Sequence, residues 1–450
     1  MLSDDGPSAS TSAFTFKGDS VKKTALRSAG LAGAVAVGLA LTACSSGGGA
    51  TADGPAEIDF WGWAPGYADA VAAYNASQDE VKVNYEEVSP GAKGGYEKML
   101  NAVTAGNAPC LGQVGYETLT SFAAQGALED VSDIAADDEG DFSAATWAAM
   151  SVGDAVYGVP VDQGPMALFY NTEVFDALGI AVPTTWDEYK AAAQQIHAAD
   201  PSKYISATYL NYDYAGFDWQ AQAPWFGVDG DSWNVSIDSP EGGEVASYWQ
   251  GMVDEGLLSP APMWDQSWYT GLGDGSIATH VGAVWIAGIL KGSAPDGAGK
   301  WAVAPMPQWN AGDEITGNVG GSGTAVLKGC DNPEAAWDFA HFMSTDADTY
   351  SALVESAGLY PAATDLLTLP VLSEGDDYFG GQNIYEVFAE SSEHVADGWV
   401  WGPNMPETVG FLDDGLSGAW AGTGTIADAL ATTQQKTVDA LEAQGLSVSE

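Results

Sequence analysis

Between residues 57 and 115 the hydrophobic period switches four times. Residues 57–61 (Glu-Ile-Asp-Phe-Trp) read as a strand, and residues 67–77 as a helix with Ala70, Val71 and Tyr74 on one face. Residues 81–88 alternate as a second strand, 96–105 are helical again, and 111–115 form a short strand. A β-α-β-α-β order needs crossover helices between parallel strands, which makes a doubly wound α/β lobe. Ligands of such lobes sit at the carboxyl ends of the strands, near the topological switch point.

At 450 residues the chain is too long for that lobe alone. Two apolar strand-like runs, 156–162 and 166–171, flank Gln163-Gly164-Pro165, which reads as a hinge crossing. Thr185 and Glu188 have capping-box spacing at the head of a helix running through Ile196. Ser239-Pro240-Glu241 starts another helix through Met252, and Asn332-Pro333-Glu334 a third to Met343. From Gly381 onward the chain reads as mainly helical, most clearly over 425–443.

The charge is lopsided, with 62 acidic against 13 basic residues and a net −49. A nucleic-acid binder needs a basic surface to displace phosphate counterions, so that class is excluded. The 49 aromatic residues (17 Trp, 18 Tyr, 14 Phe) argue for large packed cores rather than disorder. Arg27 is the one arginine, so beyond residue 43 every cation is a lysine. The bidentate guanidinium that holds carboxylates and phosphates is therefore missing, and a neutral or cationic ligand fits better.

Lys22, Lys23 and Arg27 precede a small-residue apolar run, 29–40, too short to span a bilayer. It ends in Leu41-Thr42-Ala43-Cys44, then Ser45-Ser46-Gly47-Gly48-Gly49, which resembles a bacterial lipobox. On that reading 1–43 is a signal peptide, Cys44 is diacylated, and 44–54 is a flexible tether. The Ser- and Asp-rich first 20 residues do not look like a signal n-region, which makes Val21 the expected initiator. A lipid anchor implies the extracellular face of the cell membrane, as in a Gram-positive cell. Cys110 and Cys330 are the other cysteines, and in an exported chain a pair suggests one disulfide. Two separately buried thiols are the alternative.

The lipobox, the 57–63 strand, Gly112-Gln113-Val114-Gly115-Tyr116 and Tyr157-Gly158-Val159-Pro160 together resemble an extracellular solute-binding protein of the sugar ABC-importer type. Phe169-Tyr170-Asn171, Pro183-Thr184-Thr185-Trp186-Asp187-Glu188 and Asn332-Pro333-Glu334-Ala335-Ala336-Trp337 follow in the order of that family, which includes the maltose-binding protein. The resemblance implies a two-lobed α/β fold of the type II periplasmic-binding-protein class, with ligand held between the lobes by hinge closure. It places crossings near 162–165, 318–323 and 359–363. One lobe would hold 55–162 and 320–359, the other 163–319 and 360–450, which puts both paired cysteines in the first. It also implies a monomer that delivers a carbohydrate to membrane permease subunits, with no cofactor and no catalytic residues.

A sugar site needs flat aromatic platforms beside acids and amides. Candidates at strand ends and crossings are Trp61, Trp63, Tyr116, Glu117, Asp162 and Gln163. Asn211, Tyr212, Asp218 and Trp219 read as an aromatic-rich loop of the second lobe. Trp285 resembles the family's stacking segment, Gly320, Gly321 and Ser322 could let backbone amides approach a ligand, and Trp399 and Trp401 supply a C-terminal platform. Trp186, Trp249 and Trp337 lie on predicted helices and read as core. Two other functions stay open: a polyamine receptor, since Trp and carboxylates suit a cation, and a surface glycoside hydrolase with two carboxylates across a cleft. The four His are isolated in sequence, which disfavours a metal site, and Asp413-Asp414 reads as a turn.

Overall fold

The computed structural model describes residues 55–230 and 232–449. The expected signal peptide and tether, the expected initiator Val21 and the expected lipidation at Cys44 lie outside the described residues.

The first lobe is built on a six-stranded sheet. Its opening run is β1 (Ala56–Gly62), helix α1 (Tyr67–Ser77), β2 (Val81–Glu87), α2 (Gly95–Ala105), β3 (Leu111–Gly115) and α3 (Tyr116–Ala124). Ile58 and Phe60 point inward while Glu57 and Asp59 face water, and Tyr67, Ala70, Val71 and Tyr74 bury the stripe of α1 at helical spacing. Strand β4 (Gly158–Gln163) completes the chain's first pass through this sheet, and β5 (Met166–Asn171) opens the second lobe two residues later.

The second lobe carries α4 (Trp186–Ala199), α5 (Asn211–Gln220), β6 (Thr279–Ala283) and β7 (Trp301–Ala304). Its sheet has the order β6-β5-β7, with both outer strands antiparallel to β5. The chain then returns through β8 (Ser322–Val326), α6 (Pro333–Thr345) and β9 (Tyr360–Pro361), and ends in α7 (Met405–Trp420) and α8 (Ile426–Ala443). The first sheet has the order β9-β4-β8-β3-β1-β2. Strands β1, β2 and β3 are parallel, whereas β8 slots antiparallel between β3 and β4.

The three crossings run side by side. Tyr360 pairs with Gln163 and Pro361 with Asp162, while Pro165 bridges Asn318. Asp162 is the knot of this region: its Oδ1 accepts from the Ser322 amide at 2.9 Å and from Ser322 Oγ at 2.7 Å. The predicted disulfide is present, Cys110 to Cys330 with Cα atoms 4.4 Å apart, at the end of the β3–β8 pair.

Trp186, Trp249 and Trp337 are core residues. Thr185 caps α4 by accepting from the Glu188 amide at 3.2 Å, but the Glu188 carboxylate returns to Thr184 N and Oγ1, each at 2.8 Å, one residue earlier than a standard capping box. Thr185→Ala is expected to lower stability by about 1 kcal/mol, seen as a lower denaturant midpoint at an unchanged m-value.

Three expectations need correction. Residues 211–220 form a helix, not a loop; almost every side is buried, so it shows no amphipathic stripe to read. The region after Gly381 is interrupted: 394–404 is not helical, because Gly398 is left-handed at φ 85° and Gly402-Pro403 stops the chain just before α7. Asp413 and Asp414 lie within α7 rather than in a turn.

Candidate functional site

A cavity of about 490 Å³ opens beside the crossings. Five of the sequence candidates line it: Tyr116, Gln163, Trp219, Trp399 and Trp401. The tryptophans come from α5 and from the non-helical 394–404 segment. Trp219 and Trp399 stack at 5.0 Å with an interplanar angle of 6°, and Trp401 stands edge-on to both, at 5.8 and 5.2 Å. Trp219 is locked in place because its Nε1 donates to Ala396 O at 2.7 Å. Two flat rings pressed together leave each one free face at most, so this cluster acts as a wall.

The facing wall comes from the first lobe: Tyr116, Thr120, the Ala-rich helix Ala144–Ala149 and Ser151. At the crossings Gln163 Nε2 donates to Pro361 O at 2.8 Å, which fixes the amide and leaves its carbonyl oxygen and second N–H for a ligand hydroxyl. Asn318 also lines the cavity while bracing the crossings, its Oδ1 accepting from Gly164 N and its Nδ2 donating to Gly320 O. Gly321 is left-handed (φ 85°), and a Cβ there would meet the Tyr116 ring at 2.6 Å. A side chain at 321 would therefore push the Tyr116 wall.

Other candidates stand behind the wall. Tyr212 meets Trp401 edge-on at 5.8 Å, and Asn211 is pinned by Asp413, which accepts from its backbone amide at 2.8 Å. Glu117 is buried, with Oε1 accepting from Tyr96 OH at 2.7 Å and Oε2 without a hydrogen-bond partner. Burial pushes its carboxyl up to about 7, against the lowering effect of the Tyr96 hydrogen bond. Burial likewise raises Asp162 to about 6, opposed by its bonds from Ser322.

Four further candidates are not among the residues that line this cavity. Trp61 lies under the Lys98 ammonium at 4.0 Å, and Trp63 packs edge-on against Tyr96 at 5.6 Å. Trp285 donates to Val319 O at 3.0 Å and stacks on Trp264. Asp218 is sealed in the second-lobe core, accepting from Trp225 Nε1 at 2.7 Å. Thr146, Trp233 and Asn318 line the cavity without having been singled out. Asn318 lay within a predicted crossing, but small residues at 144–149 carry no chemical signal.

Among the described residues, Asp138, Asp141 and His341 bring ligand atoms within 4.8 Å of one another. His341 is 200 residues from Asp141 in sequence, so spacing could not show the group. His341 Nε2 and Asp141 Oδ2 lie 2.8 Å apart and Trp337 Nε1 donates to Asp138, which accounts for the group as a hydrogen-bonded cluster.

The family model for bacterial extracellular solute-binding proteins matches residues 63–350. The chain belongs to that family. Among solved structures it is similar to an ABC-transporter-associated binding protein from B. animalis subsp. lactis, in complex with beta-1,6-galactobiose. The two are 31% identical with a TM-score of 0.80, covering 88% of this chain and 100% of that one. The galacto-N-biose-/lacto-N-biose I-binding protein of Bifidobacterium longum, in complex with lacto-N-biose, is 32% identical at the same TM-score and coverage. An arabinooligosaccharide-binding protein of Halalkalibacterium halodurans is 27% identical over 250 residues, 53% of this chain and 55% of that protein. The chain thus spans about half of that relative's length. These relatives are binding proteins, not enzymes, and the two solved structures share this chain's two-lobed fold.

Proposed function

We propose that this solute-binding protein captures a short oligosaccharide in the cavity and presents it, by hinge closure, to the permease subunits of an ABC importer. It would work as a monomer on the extracellular face of the cell membrane, held there by acyl chains on Cys44, with residues 55–162 and 320–359 moving as one lobe against 163–319 and 360–450.

The observation that carries this reading is the cavity's chemistry. Four tryptophans (Trp219, Trp233, Trp399 and Trp401) and Tyr116 line it together with hydroxyls and amides, and Asp397 is the one charged side chain on its wall. Sugars present apolar C–H faces and neutral hydroxyls, which such a surface matches. A polyamine would need several carboxylates, and a glycosidase a pair across the cleft. Glu117 and Asp162 are buried instead, outside the cavity lining. The saccharides named for the bifidobacterial structures support the same class.

The test is a thermal-shift and calorimetric panel of mono- and oligosaccharides with spermidine and putrescine. A saccharide at a hundredfold over Kd should add about 2.7 kcal/mol of stability, with no product released. Trp399→Ala is expected to weaken that binding about tenfold or more, because it removes one ring of the wall and loosens Trp219. A polyamine hit, cleavage of the sugar, or silence across the saccharides would sink the reading.

A further inference from the structure

The cavity wall includes a residue from an element with no part in the crossings. Strands Phe226–Asp229 and Ser232–Val235 form a hairpin, and Trp233 on its second strand lines the cavity. The antiparallel register pairs Trp233 with Val228 and Val235 with Phe226. Directly paired residues share a face, and residues two apart along a strand do too. One face therefore runs from Phe226 and Val235, both buried, to Trp233 and then to Val228, which is 63% exposed. Val228 is one of three large apolar residues in that condition among the described residues. An apolar shelf thus leads out of the cavity into solvent.

The shelf is also rigidly held. Strand Val448–Ser449 adds to the hairpin in parallel, and the Trp233 amide donates to Ser447 O at 2.9 Å. Ser232 Oγ and Ser447 Oγ are 2.7 Å apart. At the base, Gln434 on α8 donates to Val235 O at 2.7 Å and accepts from the Ile237 amide at 2.8 Å. Phe226 meets Trp233 edge-on at 6.4 Å, so the indole is positioned before any ligand arrives.

We propose that this hairpin reads the length of the bound glycan: Trp233 is the platform for a third sugar unit, beyond the pair held against Trp219, Trp399 and Trp401, and Val228 extends it to a fourth. The proposal rests on the carbohydrate reading above and deepens it.

The experiment is calorimetric titration of the full chain with β-1,6-linked galactose oligomers and arabino-oligosaccharides of one to four units. Wild-type affinity is expected to rise beyond two units. Trp233→Ala should lose about tenfold for the three- and four-unit ligands while the two-unit ligand stays within about twofold. Trp233→Phe should retain most of the affinity. Val228→Asp, at an exposed position that folding does not depend on, should weaken the four-unit ligand alone, so the proposal stays testable even if Trp233→Ala folds poorly. Equal losses at every length would make Trp233 a packing residue and overturn the proposal, as would no loss at any length. Failure of the wild type to bind any saccharide would overturn the carbohydrate reading and this proposal together. Saccharide binding with unchanged length preference in the variants would overturn this proposal alone.

Discussion

Raising the pH from about 5 to about 7.5 is expected to cost the fold a few kcal/mol, seen as a falling Tm. Burial holds the carboxyls of Glu117 and Asp213 at about 7, with Asp413 beside Asp213 adding repulsion, and that of Asp162 at about 6. Asp218 is also raised by burial, against the hydrogen bond from Trp225. In the unfolded chain such groups titrate near 4. Between roughly pH 4 and 7 the folded protein keeps protons that the unfolded chain has released, so the unfolded state binds fewer and stability falls as pH rises. For Glu117, Asp213 and Asp162 this loss is complete once the pH has passed about 7. His280 acts in the opposite sense: burial drops it to about 3, so acid below its ordinary value favours the unfolded chain. One such histidine against four carboxyls leaves the net direction unchanged, at about 1.4 kcal/mol for each pKa unit that is realised. Asp213→Asn should flatten the slope without touching the cavity wall. A Tm that is level or rising over this interval would show that these carboxyls are ionised in the fold.

Reduction of the Cys110–Cys330 bond should have the second large effect. The bond closes 220 residues, and the chain-entropy estimate for such a loop is roughly 5 kcal/mol, with measured losses for native disulfides of about 2–5. Cys110 directly precedes β3 and Cys330 follows β8, so the bridge joins two passes of the chain that the second lobe separates. The Leu327 amide already donates to Cys110 O at 2.9 Å, so the native pairing persists without the bond. The double variant Cys110→Ser/Cys330→Ser should therefore fold and bind saccharide with near-normal affinity, at a Tm several degrees lower. An unchanged Tm would mean that the unfolded chain gains little freedom when the bond is removed.

How far the sequence carried these conclusions depends on burial geometry. Strands β1 and β2 and helix α1 were legible because each has one buried face, which imposes a period, whereas β3 is buried throughout and reads only as a short run. Helix α5 was not: Asp213, Tyr214, Ala215, Gly216 and Phe217 are all buried, so composition alone remained to be read. Strand ends and crossings had singled out Tyr116 and Gln163, and the run of aromatics Trp219, Trp399 and Trp401, and these five line the cavity. The same reasoning could not show that Trp61, Trp63 and Trp285 have partners of their own, since those contacts join distant segments. Trp233 escaped notice because a single tryptophan in a short hairpin resembles any surface strand.

The placement of β8 between β3 and β4 sets a schedule for synthesis. Strand β3 is complete at Gly115, but the strand that covers its open side ends at Val326. At about 5–20 residues per second a ribosome needs on the order of 10–40 s to bridge that interval. Throughout it the nascent sheet presents an uncovered edge at β3, all five residues of which are buried in the finished fold, and an open edge of this kind pairs with other chains. Production of this protein should therefore depend on whatever shields that edge during elongation, and a chain halted shortly before β8 should be more prone to aggregate than one halted just after it.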